Sequence, residues 1–211
     1  MTTATMSAAA FRTAWDHLDL GAMPIVLHVA DDPAPWHDLT AAGLARGAEL
    51  DPWLGAAFKL LANPPRSADL RLGFGSSAVR ALAASATAGT VPAGAGMVPA
   101  SAETASAGAG TASAGAEAAA AGAGTVLAVL TGAVVTVREL ESDLAAALVG
   151  LLPVLGGGRV GGADLRGRFG AAVLDADGHR RRSADVVDFH GPTDPAALRA
   201  AVTALLDELS S

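Results

Sequence analysis

Hydrophobic and polar positions follow two different periods along the chain, and these separate the predicted helices from the predicted strands. The clearest helical period follows Asp194-Pro195, where large apolar residues recur every three or four positions. An aspartate followed by proline is typical of a helix N-terminus, so helices are predicted to begin at Asp51-Pro52 and at Asp194-Pro195. Asn63-Pro64-Pro65 ends the first of these. Shorter amphipathic helices are predicted near residues 11–20, 36–46 and 142–152, with Gly21 and Gly47 capping the first two.

Period-two alternation predicts the strands. Residues 69–74 alternate, and residues 78–83 follow a Gly75-Ser76-Ser77 turn. Further strands are predicted at 24–29, at 126–130 and 134–137 around Thr131-Gly132, and at 169–174 and 185–189 around Asp177-Gly178. Strands and helices come in groups without strict alternation, so the chain is predicted to be α+β with a mainly antiparallel central sheet.

A low-complexity segment interrupts this pattern between residues 85 and 124, where nearly every residue is Ala, Gly, Ser or Thr. Ordering such a segment costs about 1 kcal/mol or more per residue and buries little apolar surface in return, so it is predicted to be disordered or loosely helical. Strand patterns resume directly after it. We therefore expect one domain over residues 1–211, with 85–124 as an insert in the sheet.

Composition narrows the possible functions. The formal net charge is −7, and a single lysine, Lys59, accompanies thirteen arginines, which argues against general nucleic-acid binding. The absence of cysteine excludes disulfides, thiolate chemistry and Cys-based zinc sites. The apolar stretches 125–137 and 144–155 are shorter than the about 20 residues of a membrane span. Residues 1–10 lack the apolar region of a secretory signal, so a cytosolic protein is expected.

The search for catalytic or metal-binding motifs finds weak candidates. Residues 156–161 match the letters of the dinucleotide fingerprint but follow a proline-ended helix and open no helix, which favours a plain loop over an enzyme. Asp31-Asp32 beside His28 is interpreted as a turn before prolines, and the run His179–Arg182 as a solvated hairpin arm, with binding of an acidic partner as its alternative. No nucleophile elbow occurs, so no catalytic residue or cofactor is predicted. No metal site is predicted either, because no pair of histidines is spaced i, i+4 among His17, His28, His37, His179 and His190.

Taken in order, several segments of the chain resemble the EspG family, the secretion-associated chaperones of ESX (type VII) systems. The resemblance covers about two thirds of the chain and depends on the order of the segments. They are Trp15 with Leu20-Gly21 and Pro24-Ile25-Val26-Leu27, Leu50-Asp51-Pro52, Asn63-Pro64, Ala68-Asp69-Leu70-Arg71-Leu72, Ala78-Val79-Arg80-Ala81-Leu82, Val126-Leu127-Ala128-Val129, Val134-Val135-Thr136-Val137, and Phe169-Gly170 to Asp177-Gly178-His179-Arg180.

The resemblance implies a fold, a partner and a surface. The fold would be a central sheet flanked by helical bundles in a pseudo-twofold arrangement, in a monomer or weak homodimer. The partner would be a PE–PPE heterodimer, kept soluble in the cytosol until export, with no catalytic site or cofactor. The implied partner-binding residues are Gly73, Phe74, Gly75, Ser76 and Ser77, with neighbours of the last helix. Phe74 is equally open to interpretation as an ordinary sheet residue.

The chain departs from the family pattern in two places. One is the insert at 85–124, which could hang over the partner surface. The other is a short C-terminal half, in which Gly191-Pro192 leads directly into the last helix. The second departure leaves open an alternative function, a non-catalytic adaptor or degenerate paralogue with another protein partner.

Overall fold

A large antiparallel sheet organises the protein, whose computed structural model describes residues 2–30, 32–86, 124–175 and 177–210. Its strands are β1 (Thr3–Ser7), β4 (Arg66–Phe74), β5 (Ser77–Ser85), β6 (Thr125–Thr131), β7 (Val134–Glu139), β8 (Arg166–Leu174), β9 (Arg180–Arg182) and β10 (Val187–His190). They are ordered β1-β7-β6-β5-β4-β8-β10, with β9 also paired to β8. A small separate hairpin consists of β2 (Ala45–Arg46) and β3 (Glu49–Leu50).

The helices are α1 (Ala8–His17), α2 (Trp36–Ala41), α3 (Pro52–Ala62), α4 (Leu144–Val149) and α5 (Pro195–Leu209), with 3₁₀ turns at Ile25–Leu27 and Gly156–Gly158. The predicted caps are confirmed, since Asp51 accepts a hydrogen bond from the Leu54 amide at 3.1 Å and Asp194 one from the Ala196 amide at 3.0 Å. Each of these bonds satisfies an amide that the helix itself leaves unpaired.

The helices cover opposite faces of the two halves of the sheet. The first core joins α1, α3 and the first 3₁₀ turn to one face of the half formed by β1, β7, β6 and β5. The second core joins α4 and α5 to the other face, over β5, β4 and β8. Alternation along β6 shows the division, because Val126 and Ala128 belong to the first core and Leu127 to the second. This arrangement confirms the expected α+β fold, and among the described residues neither core extends over the opposite face of its half.

The hairpins β4–β5 and β6–β7 confirm the strand predictions, and β5 pairs with β6 across the low-complexity insert. The predicted disorder of 85–124 concerns residues 87–123, which lie outside the described residues. Strand β1 was not predicted, although its exposed-buried alternation is visible in Thr3–Ser7.

Three predictions near the N-terminus are wrong in detail. Residues 24–29 form no strand but the 3₁₀ turn Ile25–Leu27, because Val26 and Leu27 are adjacent and both are buried in the first core. The helix predicted to extend to Arg46 ends at Ala41, where Gly43 (φ 72°) takes the left-handed position instead of Gly47. Helix α1 is likewise closed by Asp19 (φ 50°) rather than Gly21.

Two further predictions are corrected in the second half of the chain. Helix α4 is shorter than predicted, since it ends at Val149 and the chain turns at Gly150. The hairpin partner of β8 across Asp177-Gly178 is β9, whereas β10 pairs with the first residues of β8, from Val187 opposite Phe169 to His190 opposite Arg166. The basic run Arg180–Arg182 is therefore the short second strand of this hairpin, and its three arginines are exposed, as expected for a solvated hairpin arm.

Gly167 tests the packing of the second core. A Cβ at this position would overlap the ring of Phe189 and lie 2.9 Å from Cδ2 of Leu72. Gly167→Ala is expected to lower the free energy of unfolding by about 1–3 kcal/mol, the usual cost of overpacking a core. Gly162→Ala is the control, because a Cβ there meets nothing within 4 Å. Urea denaturation of both variants would measure the difference, and equal midpoints would show that the Phe189 ring moves away without cost.

Candidate partner-binding surface

The turn between β4 and β5 carries the residues predicted to bind a partner. Gly73, Phe74, Gly75, Ser76 and Ser77 are all exposed, and Phe74 retains 42% of its accessible surface. Phe74 lies opposite Ser77, so Gly75 and Ser76 form a two-residue connection. Gly75 has φ 55°, the positive value that a type II′ hairpin turn needs at its first central position. The sequence therefore presents an aromatic side chain on a tight, projecting turn.

Strand register shows which other segments share this end of the sheet. Gly73 is opposite Arg166 at the start of β8, and Arg166 is opposite His190 at the end of β10. Val79 is opposite Thr131, so the β6–β7 turn lies at the same end. We call this end of the sheet, which carries the β4–β5 and β6–β7 turns, the turn end.

The low-complexity insert leaves the sheet at the opposite end. Ser85 is opposite Thr125, and the Ala86 amide donates to the Gly124 carbonyl at 3.1 Å. The nine residues of β5 separate this point from the turn by roughly 27 Å at the usual rise per residue. The insert thus leaves the sheet at the end away from the β4–β5 turn, and the expectation that it hangs over the partner surface stays a prediction.

A second exposed apolar side chain lies near the start of the last helix. Val154, with 83% of its surface exposed, bridges to Val160, and Val160 bridges to Thr193 just before α5. Thr193 follows His190 by three residues, which places this loop at the turn end. Helix α5 then runs to the far end of the sheet, where Asp207 contacts Arg66 at 2.9 Å. The loop that leads into the last helix and the β4–β5 turn therefore lie at the same end of the sheet.

The face of β4, β8, β9 and β10 opposite the second core, with its neighbour Arg80 on β5, is rich in arginine, and the first 3₁₀ turn lies beside its half around Asp69, Arg180 and Arg182. We call it the arginine face, and its charged or titratable members are Asp69, Arg71, Arg80, Arg166, Arg168, Arg180, Arg182, Asp188 and His190. A shallow groove of about 560 Å³ lies on its half nearest the turn end, lined by Arg71, Arg166, Gly167, Arg168, Asp188, Phe189 and His190. Arg166 links this groove to the turn because it lies directly opposite Gly73.

Two aspartates act on the charges of this face in different ways. Asp188 accepts hydrogen bonds from Nε and Nη2 of Arg168 at 2.7 and 2.9 Å, which lowers the pKa of Asp188 and raises the pKa of Arg168. Asp69 lies 3.6 Å from Nε of Arg71. Burial nevertheless raises the pKa of Asp69, while Arg71 and Arg182 act in the opposite direction. The ion pair thus favours the charged form of Asp188, whereas burial disfavours the charged form of Asp69.

A sequence profile of the EspG family matches residues 7–209, nearly the whole chain. The chain belongs to the EspG family. A similar fold is found in the structure of the Mycobacterium tuberculosis type VII secretion system chaperone EspG5 in complex with a PE25–PPE41 dimer. The two chains share 13% identity at a TM-score of 0.59, and the match covers 98% of this chain and 96% of the other. Among curated proteins none matches. The family resemblance read from the order of segments is confirmed.

The glycine-rich segment 156–161 of this EspG-family protein is a loop. Gly156–Gly158 form one 3₁₀ turn, the Leu155 amide donates to the Arg159 carbonyl at 2.7 Å, and Val160 bridges to Thr193. A dinucleotide site requires a strand before this segment and a helix directly after it. Here the preceding element is helix α4 and the following element is strand β8. The loop interpretation is therefore confirmed.

Sequence reasoning did not single out the cluster Asp175, Asp177 and His179, whose potential ligand atoms lie within 4.8 Å of one another. It occupies the β8–β9 turn. Oδ1 of Asp175 accepts hydrogen bonds from the backbone amides of Asp177 at 3.0 Å and His179 at 2.8 Å. These bonds give the carboxylate a structural role in closing the turn.

In the part of the chain that the structure describes, no helix is long and apolar enough to cross a membrane.

Asp69 provides a pH-dependent test of the arginine face. Its pKa is raised above the ordinary value of 3.8, so the stability that it contributes is fully present below that pH and is lost as the pH rises through the folded-state pKa. Asp69→Asn removes the charge, so the urea midpoint should increase at about pH 7 and stay unchanged near about pH 3. Asp188→Asn is the control of opposite sign, with a lower midpoint at neutral pH. A less stable D69N variant at neutral pH would mean that the Arg71 contact outweighs burial.

Proposed function

We propose that this EspG-family protein is a chaperone of type VII secretion that binds a PE–PPE heterodimer and keeps it soluble in the cytosol before export. The observation that carries the proposal is the match, over nearly the whole length of both chains, to a chaperone whose structure contains a PE25–PPE41 dimer. Membership of the EspG family supports it independently of the structure. The protein would act as one copy per client, in agreement with the expected monomer or weak homodimer.

The turn end supplies a surface suited to this role. Phe74 and Val154 expose apolar area on rigid connections, and exposed aromatic residues are frequent hot spots of protein interfaces. Alternation along β4 places Phe74 on the side of Leu70 and Leu72, which belong to the second core beneath α4 and α5. A client that contacts Phe74 would therefore also meet the start of α5.

A chaperone of this kind needs a shaped surface and no catalytic residues. The enzymatic alternative rested on residues 156–161, which open no helix that could bind a dinucleotide phosphate. The adaptor alternative retains one supporting observation, since the chain passes directly from β10 to α5 through Gly191–Asp194. An adaptor would use the same fold with a different protein partner.

Co-expression with each PE–PPE pair encoded in the same genome, followed by size-exclusion chromatography, tests the proposal. The expected result is one pair that co-elutes with this chain as a ternary complex. Separate elution of every pair, while this chain keeps its circular dichroism spectrum and melting transition, would contradict the chaperone role and favour the adaptor.

Phe74→Ala tests the surface. Truncating an interface aromatic commonly costs about 2 kcal/mol or more, so the dissociation constant for the co-eluting pair should rise about 30-fold. Thermal stability should change little because the ring is partly exposed. Val186→Ala is the matched control, since Val186 is similarly exposed at 45% but precedes β10, at the end of that strand away from the turn end. Equal binding by the two variants would remove Phe74 from the interface and leave it an ordinary strand residue.

A further inference from the structure

A row of like charges crosses the arginine face. Arg80 on β5, Arg71 on β4 and Arg168 on β8 are directly opposite one another in register, and Asp188 on β10 completes the row. Directly opposed residues in an antiparallel sheet have their Cβ atoms about 4.5–5.5 Å apart, and like charges in such pairs destabilise the sheet. Two consecutive arginine pairs are therefore unfavourable for folding on their own.

Neutralisation within the protein is incomplete. Asp188 engages Arg168 through both oxygens, and Asp69 reaches Arg71 at 3.6 Å. Arg80 and Arg166 have no ion-pair partner among the described residues. The face as a whole carries six arginines against two aspartates, on a chain whose formal net charge is −7. Positive charge is thus concentrated on the face opposite the second core, and the groove on the half nearest the turn end is lined by strand residues.

The arginine face is also continuous with the turn end. Arg166 lies opposite Gly73, one residue from Phe74, and it lines the groove of about 560 Å³ together with Arg71 and Arg168. The groove is open to solvent, and Arg71 and Arg168 expose half or more of their side chains, 50% and 58%. Phe74 lies on the second-core side of β4, so a client bound there would pass around the β4–β5 turn to reach these guanidinium groups on the opposite face.

We propose that the arginine face binds an acidic segment, rich in aspartate and glutamate, of the client protein held at the turn end. The planar guanidinium group matches a carboxylate bidentately, and the Arg168–Asp188 pair already shows that geometry within the face. A protein carboxylate fits better than a polyphosphate chain, because Asp69 and Asp188 interrupt the positive charge and the acidic chain repels a long polyanion. The inference rests on the proposed chaperone function.

A pair of double variants with the same change in net charge tests the proposal. Arg71→Gln with Arg166→Gln removes two positive charges from the face, and Arg46→Gln with Lys59→Gln removes two from exposed side chains on β2 and α3. The measurement is the dissociation constant for the PE–PPE pair that co-elutes with the unmodified protein. The face variant should bind about tenfold more weakly, and the control variant should bind as the unmodified protein does. Unchanged melting transitions would show that both variants fold.

Ionic strength supplies a second readout. Between about 0.05 M and about 0.3 M NaCl the unmodified protein and the control variant should lose affinity, whereas the face variant should lose clearly less, because salt screens the contacts that it already lacks. Equal affinity and equal salt dependence of the two double variants would overturn the proposal and leave the chaperone function standing.

A titration without any client separates this inference from the proposed function. The probe is a hexaglutamate peptide at low salt, followed through the Nε–Hε resonances of the arginine side chains. Shifts confined to the arginine face, and absent from the face variant, would support carboxylate recognition even if no PE–PPE pair co-eluted. Absence of shifts, or tighter binding of inorganic phosphate or a single-stranded oligonucleotide than of the peptide, would overturn it.

Discussion

The period-two alternation of the central strands is the constraint on which the rest of the structure depends. Successive side chains of a strand point to opposite faces, so β5 and β6 contribute to two cores at once: Val126 to the first and Leu127 to the second. A strand buried on both faces must be apolar at every position, and residues 81–84 are indeed all buried. A slip of one residue in the register would exchange the two cores and expose both.

The same constraint creates the open surfaces. Each helical layer covers one face of one half of the sheet, so the outer strands have an uncovered face and can carry polar residues there. On β4 buried Leu70 is followed by exposed Arg71, and on β8 exposed Arg168 is followed by buried Phe169. The arginine face and the second core are therefore the two sides of the same strands. The proposed binding surface and the second core therefore share these strands but use different residues.

Two glycines are required by the packing and by the turn geometry of the sheet. Gly167 leaves the space into which the Phe189 ring packs, and Phe189 stacks on Phe169 with ring centroids 5.5 Å apart. Gly75 permits the tight turn that projects Phe74 at the end of the same sheet. Gly167 therefore stabilises the second core, and Gly75 exposes the predicted partner-binding residue Phe74. Gly167 must lack a Cβ because the Phe189 ring fills that space, and Gly75 must adopt a positive φ.

Elements whose signals are local can be predicted from the amino-acid sequence. Asp51-Pro52 and Asp194-Pro195 specify helix starts through capping geometry, and alternation with a glycine turn specifies the hairpins β4–β5 and β6–β7. The order of these segments was enough to indicate the EspG family and to locate Phe74 on a turn. The tertiary structure decided what depends on residues distant in the chain. Residues 24–29 are β-rich yet form a 3₁₀ turn, because burial of Val26 and Leu27 against the sheet outweighs their strand propensity. The arginine face is the clearest case, since Arg80, Arg71 and Arg168 are scattered in sequence and become neighbours through strand register alone.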